Sequence, residues 1–202
     1  ADARNFEFIA LTGDMYPDTD AAAYIDSHKD LFQYVSLTRV TYATEAEATA
    51  ALEAIATGTK TLEEAIAESI DSSKESNGKI DKIYRFSLDG YLANTSPDSA
   101  LEIFMAEEGT SIGPVHTSEG YTLFFVDQAA TDSDTTNASD LFAAKSYITQ
   151  YDNEVMKAYL EGKAAEISAE AKADFEGTAE KYGLTINTVS SSAENPGDSQ
   201  YI

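Results

Sequence analysis

Residues 109–121 read Gly-Thr-Ser-Ile-Gly-Pro-Val-His-Thr-Ser-Glu-Gly-Tyr, and residues 122–126 continue Thr-Leu-Phe-Phe-Val. Ser111–Val115 and Tyr121–Val126 carry the β-branched and aromatic content of strands. Between them Thr117-Ser118-Glu119-Gly120 supplies turn residues. The stretch therefore predicts an antiparallel hairpin, and the rest of the central chain is read outward from it.

Toward the N-terminus, Pro97–Met105 fits a short helix with Pro97 in its first turn and Ala100, Leu101, Phe104 and Met105 facing inward, stopped by Gly109. Before it, Ile80, Ile83, Tyr84 and Phe86 form an apolar segment closed by Asp89-Gly90, and residues 71–78 (DSSKESNG) form a polar loop. Thr44 with Glu47, and Thr61 with Glu64, have the spacing of capping boxes and start two amphipathic helices separated by Gly58. Val35–Tyr42 (VSLTRVTY) alternates as a strand. The central order is strand, two helices, polar loop, strand, short helix, hairpin.

The outer segments carry a second pattern. Residues 5–12 (NFEFIALT) read as a strand, and a helix capped by Thr19 or Asp20 follows to about Leu31. Residues 130–139 read as a linker. Their spaced aspartates fail the calcium-loop pattern, which needs Gly and Glu where Asn137 and Ala143 stand. Ser139–Lys181 has helical composition and is read as two helices broken at Gly162. Leu184, Ile186 and Val189 suggest a closing strand. The first and last segments are expected to meet, which makes the outer domain discontinuous.

The chain has 202 residues, 13 Lys and Arg against 36 Asp and Glu, and a formal charge of −23. That charge repels phosphate backbones and anionic lipid surfaces, so nucleic acid is not expected as a partner. There is no cysteine, and His28 and His116 are the only imidazoles, so no metal or other cofactor is expected. No apolar run is long enough to insert into a membrane. The opening Ala1-Asp2, without Met, is read as a mature or trimmed chain whose signal sequence lies outside it.

The central order, together with Gly109, Pro114, Val115, Thr117 and Gly120-Tyr121, resembles the parvulin-type peptidyl-prolyl isomerase family, whose hairpin runs Gly-x-x-Ser-x-Pro-Val-x-Thr-x-x-Gly-Tyr. Glu45–Gly58 and Leu62–Ser69 resemble the family's first two helices. The flanks, including Glu180–Leu184, are similar to those of SurA-, PrsA- and PpiD-like foldases. The resemblance implies an α+β fold: a parvulin-like antiparallel sheet with surrounding helices over residues 35–129, a smaller discontinuous α+β domain from residues 1–34 and 130–190, and a flexible tail over 191–202.

Carried over one residue at a time, the family's two catalytic imidazoles fall on Arg39 and Thr122. Its Cys-or-Asp position falls on Asp71, and a pocket threonine on Thr117. The proline-gripping positions fall on Thr95 and Ser99, counted back from Phe104, and give a more polar pocket than the family's. Arg39 beside Asp71 is expected to form a salt bridge across the site. His116 is read as a turn residue rather than a catalyst.

The resemblance further implies an extracytoplasmic, periplasmic or membrane-anchored secreted, folding factor that binds unfolded or extended polypeptides, X-Pro segments among them. With both imidazoles replaced, weak or absent isomerase activity is expected. Two alternatives stand beside this: an active isomerase with an atypical pocket, and a structural or assembly component with a fixed partner.

Overall fold

Alternation in VSLTRVTY does what its period dictates. Val35 and Leu37 turn to one side of strand β2 (Tyr34–Tyr42) and Val40 and Tyr42 to the other, and all four are buried. A computed structural model gives the architecture of residues 4–191. The polar tail expected from 191 onward lies, apart from Ser191, outside the described residues. The chain divides into two units, residues 22–141 and residues 1–21 with 142–202.

In the first unit, β2 is central to a four-stranded antiparallel sheet of order β3-β2-β5-β4, with β3 at Lys79–Tyr84, β4 at Ser111–Thr117 and β5 at Gly120–Thr131. Helices α3 (Glu45–Ala56) and α4 (Leu62–Glu68) cover one face, where Ala48, Ala51, Ala65 and Ile66 pack on Val40, Tyr42 and Leu123. Both begin in the expected capping boxes, Thr44 with Glu47 and Thr61 with Glu64. Each box satisfies two otherwise orphaned backbone N–H groups, worth about 1 kcal/mol per helix. Helices α5 (Arg85–Leu92) and α6 (Pro97–Met105) cover part of the opposite face, burying Leu88, Leu92, Ala100, Ile103 and Phe104 against Leu37, Phe124 and Val126.

Three local expectations change. Asp89-Gly90 lies inside α5 instead of closing a strand. Leu88 and Leu92 are buried one turn apart, and Arg85 pairs with Asp89 at 2.7 Å along the same helix. Strand β5 runs on to Thr131, so the linker begins later than expected. Its aspartates serve local structure: Asp132 accepts from Gln33, and Asp134 accepts from the Thr136 amide and hydroxyl. The early helix is two, α1 (Asp18–Ser27) and α2 (Lys29–Phe32), interrupted at His28 (φ −130°, ψ 41°).

In the second unit, β1 (Arg4–Ile9) pairs antiparallel with β6 (Ile186–Ser191) from Arg4 opposite Ser191 to Ile9 opposite Ile186, joining the first and last described elements. The helices between are three, α7 (Ala138–Tyr151), α8 (Asn153–Ala171) and α9 (Phe175–Lys181). The break falls at Asp152 (φ −121°, ψ 59°), not at Gly162, which has open space around it inside α8. The Tyr159 hydroxyl donates to the Met15 carbonyl at 2.5 Å, and the Tyr159 ring meets Tyr16 edge to face at 5.2 Å. The boundary between the units falls within α1 and α7.

Asp140, in the first turn of α7, is 2% exposed and accepts from Lys82, from the Tyr84 hydroxyl at 2.5 Å and from the Asp134 amide at 2.9 Å. Burial by itself drives its pKa up. The hydrogen bonds from Lys82, Tyr84 and Asp134 outweigh it and hold the carboxyl below the ordinary aspartate value. The Lys82 ammonium also lies 4.0 Å from the centre of the Tyr34 ring. Because the folded pKa is depressed, this carboxylate contributes its stability in full above about pH 4, the unfolded aspartate range, and loses it as pH falls through the lower folded value. Urea unfolding followed against pH should show an acid limb that Asp140→Asn flattens; parallel limbs in the two proteins would refute the assignment.

Candidate functional site

Where α5 and α6 leave the sheet uncovered, the same face of β2 and β5 turns polar. Arg39 and Thr41 continue the side begun by Val35 and Leu37, and Thr122 continues the side of Phe124 and Val126. The register sets Thr41 directly opposite Thr122, and their Oγ1 atoms are 2.9 Å apart. Thr117, at the end of β4, brings its Oγ1 to 3.2 Å from that of Thr122. On the other side Thr41 Oγ1 donates to Asp71 Oδ2 at 2.8 Å, while Ser69 Oγ donates to Asp71 Oδ1 at 2.8 Å. Thr41, Ser69, Thr117 and Thr122 are all buried.

Two local constraints hold this geometry. Ser69 Oγ accepts from the Thr41 amide at 3.0 Å and Thr41 O accepts from the Ile70 amide at 3.0 Å, so the end of α4 is laced to β2 and Asp71 is delivered to the cluster. The hairpin turn needs Gly120, whose φ of +141° is a glycine conformation and at which a Cβ would collide with the Tyr42 carbonyl oxygen.

The proton count of the hydroxyl chain is informative. Each threonine has one proton to give. Thr41 gives its own to Asp71, leaving Thr122 to donate to Thr41, and Thr117 donates to Thr122 or, at 3.1 Å, to the Gly120 carbonyl. The chain points toward the carboxylate and commits all three protons internally. Hydroxyls so arranged can position and accept, but unlike an imidazole they do not exchange a proton near neutral pH.

The cationic member of the site is Arg39. Its Nη2 lies 3.6 Å from Asp71 Oδ2, so the expected salt bridge is present, and its Nη1 lies 3.1 Å from Glu119 Oε2 and 3.4 Å from the Tyr91 hydroxyl. Tyr91 donates to Glu119 Oε2 at 2.8 Å. Burial raises the Tyr91 pKa, with the Glu119 carboxylate adding to the rise against the Thr117 hydroxyl and the Arg39 charge.

Asp71, Arg39, Thr122 and Thr117 are thus brought into one network. Thr95, Ser99 and Phe104 stand apart from it. Thr95 sits in the α5–α6 turn with its hydroxyl on the Leu92 carbonyl, Ser99 is in the first turn of α6, and Phe104 is packed in the core with the Arg85 guanidinium 5.5 Å above its ring. His116 is exposed, tilted against Tyr121, and its carbonyl accepts from Ser96. The network also includes Thr41, Ser69, Tyr91 and Glu119, which the sequence reading did not assign to the site. Thr41 had a signal, two positions after Arg39 and so on its face of the strand. Tyr91 had only its aromatic ring, read as strand core, because its helix was not anticipated.

The two carboxylates around Arg39 differ sharply in setting: the Asp71 side chain is 3% exposed and that of Glu119 37%. Asp71→Ala strips the acceptor from two buried hydroxyls and the counter-ion from Arg39, and should cost about 3 kcal/mol in denaturant unfolding. Glu119→Ala should cost under about 1 kcal/mol. Equal losses would mean that Asp71 is not the anchor of the network.

The family model described as PPIC-type PPIASE domain matches residues 16–139. Among solved structures, the chain is similar to a PpiC-type peptidyl-prolyl cis-trans isomerase domain at 17% identity and a TM-score of 0.42, covering 52% of this chain and 97% of that one. It is also similar to PrsA from Bacillus anthracis, at 16% identity and a TM-score of 0.45, covering 72% of this chain and 68% of that one. For PrsA from Bacillus subtilis the identity is 18% and the TM-score 0.42, and the match covers 72% of this chain and 53% of that one. A search of curated proteins finds no match. With the family model spanning more than half of its residues, the chain belongs to the parvulin, or PPIC-type peptidyl-prolyl isomerase, family.

Proposed function

We propose that this chain is an extracytoplasmic folding factor that binds extended polypeptide, and that its parvulin unit has weak or no isomerase activity. The observation that carries this reading is the closed hydroxyl chain, in which Thr117, Thr122 and Thr41 spend their protons on one another and on Asp71. Rotation about a prolyl bond faces a barrier of about 18–20 kcal/mol set by amide resonance. Lowering it requires groups that favour the twisted amide over the planar one. Hydroxyls already committed to internal partners offer little of that preference.

Polypeptide binding draws support from the unit that holds β1 and β6. A groove of about 470 Å³ is lined by Phe8, Ile9, Leu11, Ala164, Ile167 and Phe175, and a second of about 590 Å³ shares Leu11 and Ala164 with it. Three consecutive β1 residues, Glu7-Phe8-Ile9, border the first groove. Among the described residues β1 pairs with β6 alone, and strand addition at a sheet edge is one way an extended segment is bound. The outer segments, 1–34 and 130–190, constitute the chaperone-like part in this reading. Among the described residues no helix is long and apolar enough to cross a membrane.

A working isomerase is the second reading, and the buried Asp71 carboxylate at the family's Cys-or-Asp position favours it, because strain and desolvation do not depend on imidazole. NMR exchange spectroscopy on a set of X-Pro peptides, with wild type and Asp71→Asn at equal concentration, separates the two. The proposed function expects peptide shift changes without faster cis–trans exchange. Acceleration that disappears in Asp71→Asn would establish the isomerase instead.

A further inference from the structure

The Arg39 guanidinium is held on two sides by carboxylates with different freedom. Asp71 is buried and bonded to Ser69 and Thr41 as well as facing Arg39, so it is fixed by the fold. Glu119 sits on the two-residue turn between β4 and β5, and its carboxylate accepts from Arg39 Nη1 and from the Tyr91 hydroxyl through the same oxygen. Tyr91 belongs to the last turn of α5, and its hydroxyl also accepts from Arg39 Nη1 at 3.4 Å. One carboxylate oxygen therefore ties the hairpin turn to α5 across the hydroxyl cluster.

We infer that Glu119 and Tyr91 form a clasp over the Arg39–Thr122 site, so that these two residues control the access of a peptide to it. The inference rests on the proposed binding of extended polypeptide and carries it to the Arg39–Thr122 site. A segment reaching Arg39 Nη1 must displace the Glu119 carboxylate and the Tyr91 hydroxyl that lie against it, so Glu119 has to let go of both partners. Release leaves Arg39 facing Asp71 and takes the Glu119 acceptor away from its Nη1 donors. The natural acceptor for them is a main-chain carbonyl of the incoming peptide, since a side-chain carboxylate would also meet the fixed Asp71 carboxylate. The site thereby selects a neutral or basic X-Pro segment over one with an acidic residue next to the proline.

The clasp is tested on the whole chain by amide hydrogen exchange of wild type, Glu119→Ala and Tyr91→Phe, followed by titration with a neutral X-Pro peptide. Both variants should exchange about two- to fivefold faster at the amides of residues 119–121 and the last turn of α5, the size expected for losing a partly exposed charged contact. Amides of β1 and α8 should be unchanged. Both variants should also bind the peptide about two- to fivefold more tightly. Unchanged or slower exchange at the turn, or weaker peptide binding by Glu119→Ala, would overturn the clasp. Faster exchange with no peptide shifts at Thr117 or Thr122 in any of the three proteins would leave the clasp standing and defeat the peptide-binding reading.

Discussion

The antiparallel pairing of β2 with β5 sets Thr41 opposite Thr122, and the site exists because of that register. A slip of one residue would exchange the faces of the strand. For β2 it would put Val40 and Tyr42 beneath α5 and α6 and turn Arg39 and Thr41 toward α3 and α4. The alternation of buried residues on both sides of the sheet forbids the slip, since Val35, Leu37, Phe124 and Val126 pack one way and Val40 and Leu123 the other. Packing on two faces thus fixes a polar cluster that contributes little apolar burial of its own.

Once the register is fixed, the chemistry follows from what threonine can do. Its side chain carries a single proton and two acceptor positions, with no titration in the physiological range. Three such groups in series ending on a buried carboxylate make a polarised but saturated chain. The arrangement is suited to holding strands β2, β4 and β5 and the Asp71 loop in fixed relation. Arg39 then places a positive charge between Asp71 and Glu119, which explains how two carboxylates are tolerated at one end of the sheet.

Much of the central unit was legible because its signals are local. Capping boxes at Thr44 and Thr61, Pro97 at a helix start and the turn before Gly120 each act within a few residues, and each appears where the pattern placed it. The errors fall where tertiary packing outranks local preference. Asp89-Gly90 is helical because burial of Leu88 and Leu92 outweighs the roughly 1 kcal/mol that glycine costs there. Gly162 stays helical for want of any neighbour to exploit its freedom, and the chain breaks at Asp152 instead. At the site, Arg39, Asp71, Thr117 and Thr122 were reachable by matching strings. The convergence of Tyr91 and Glu119 on Arg39 was not, because it joins a helix, a turn and a strand far apart in sequence.

The cluster stands or falls on whether its hydroxyls act as one unit, and a double-mutant cycle measures that directly. Thr41→Val, Thr122→Val and the double variant are to be unfolded in urea under one set of conditions. A linked chain gives a coupling of about 0.5–3 kcal/mol between the two positions. Losses that add to within about 0.3 kcal/mol would mean that the two side chains are merely neighbours, and would contradict the hydroxyl chain as the organising element of the site.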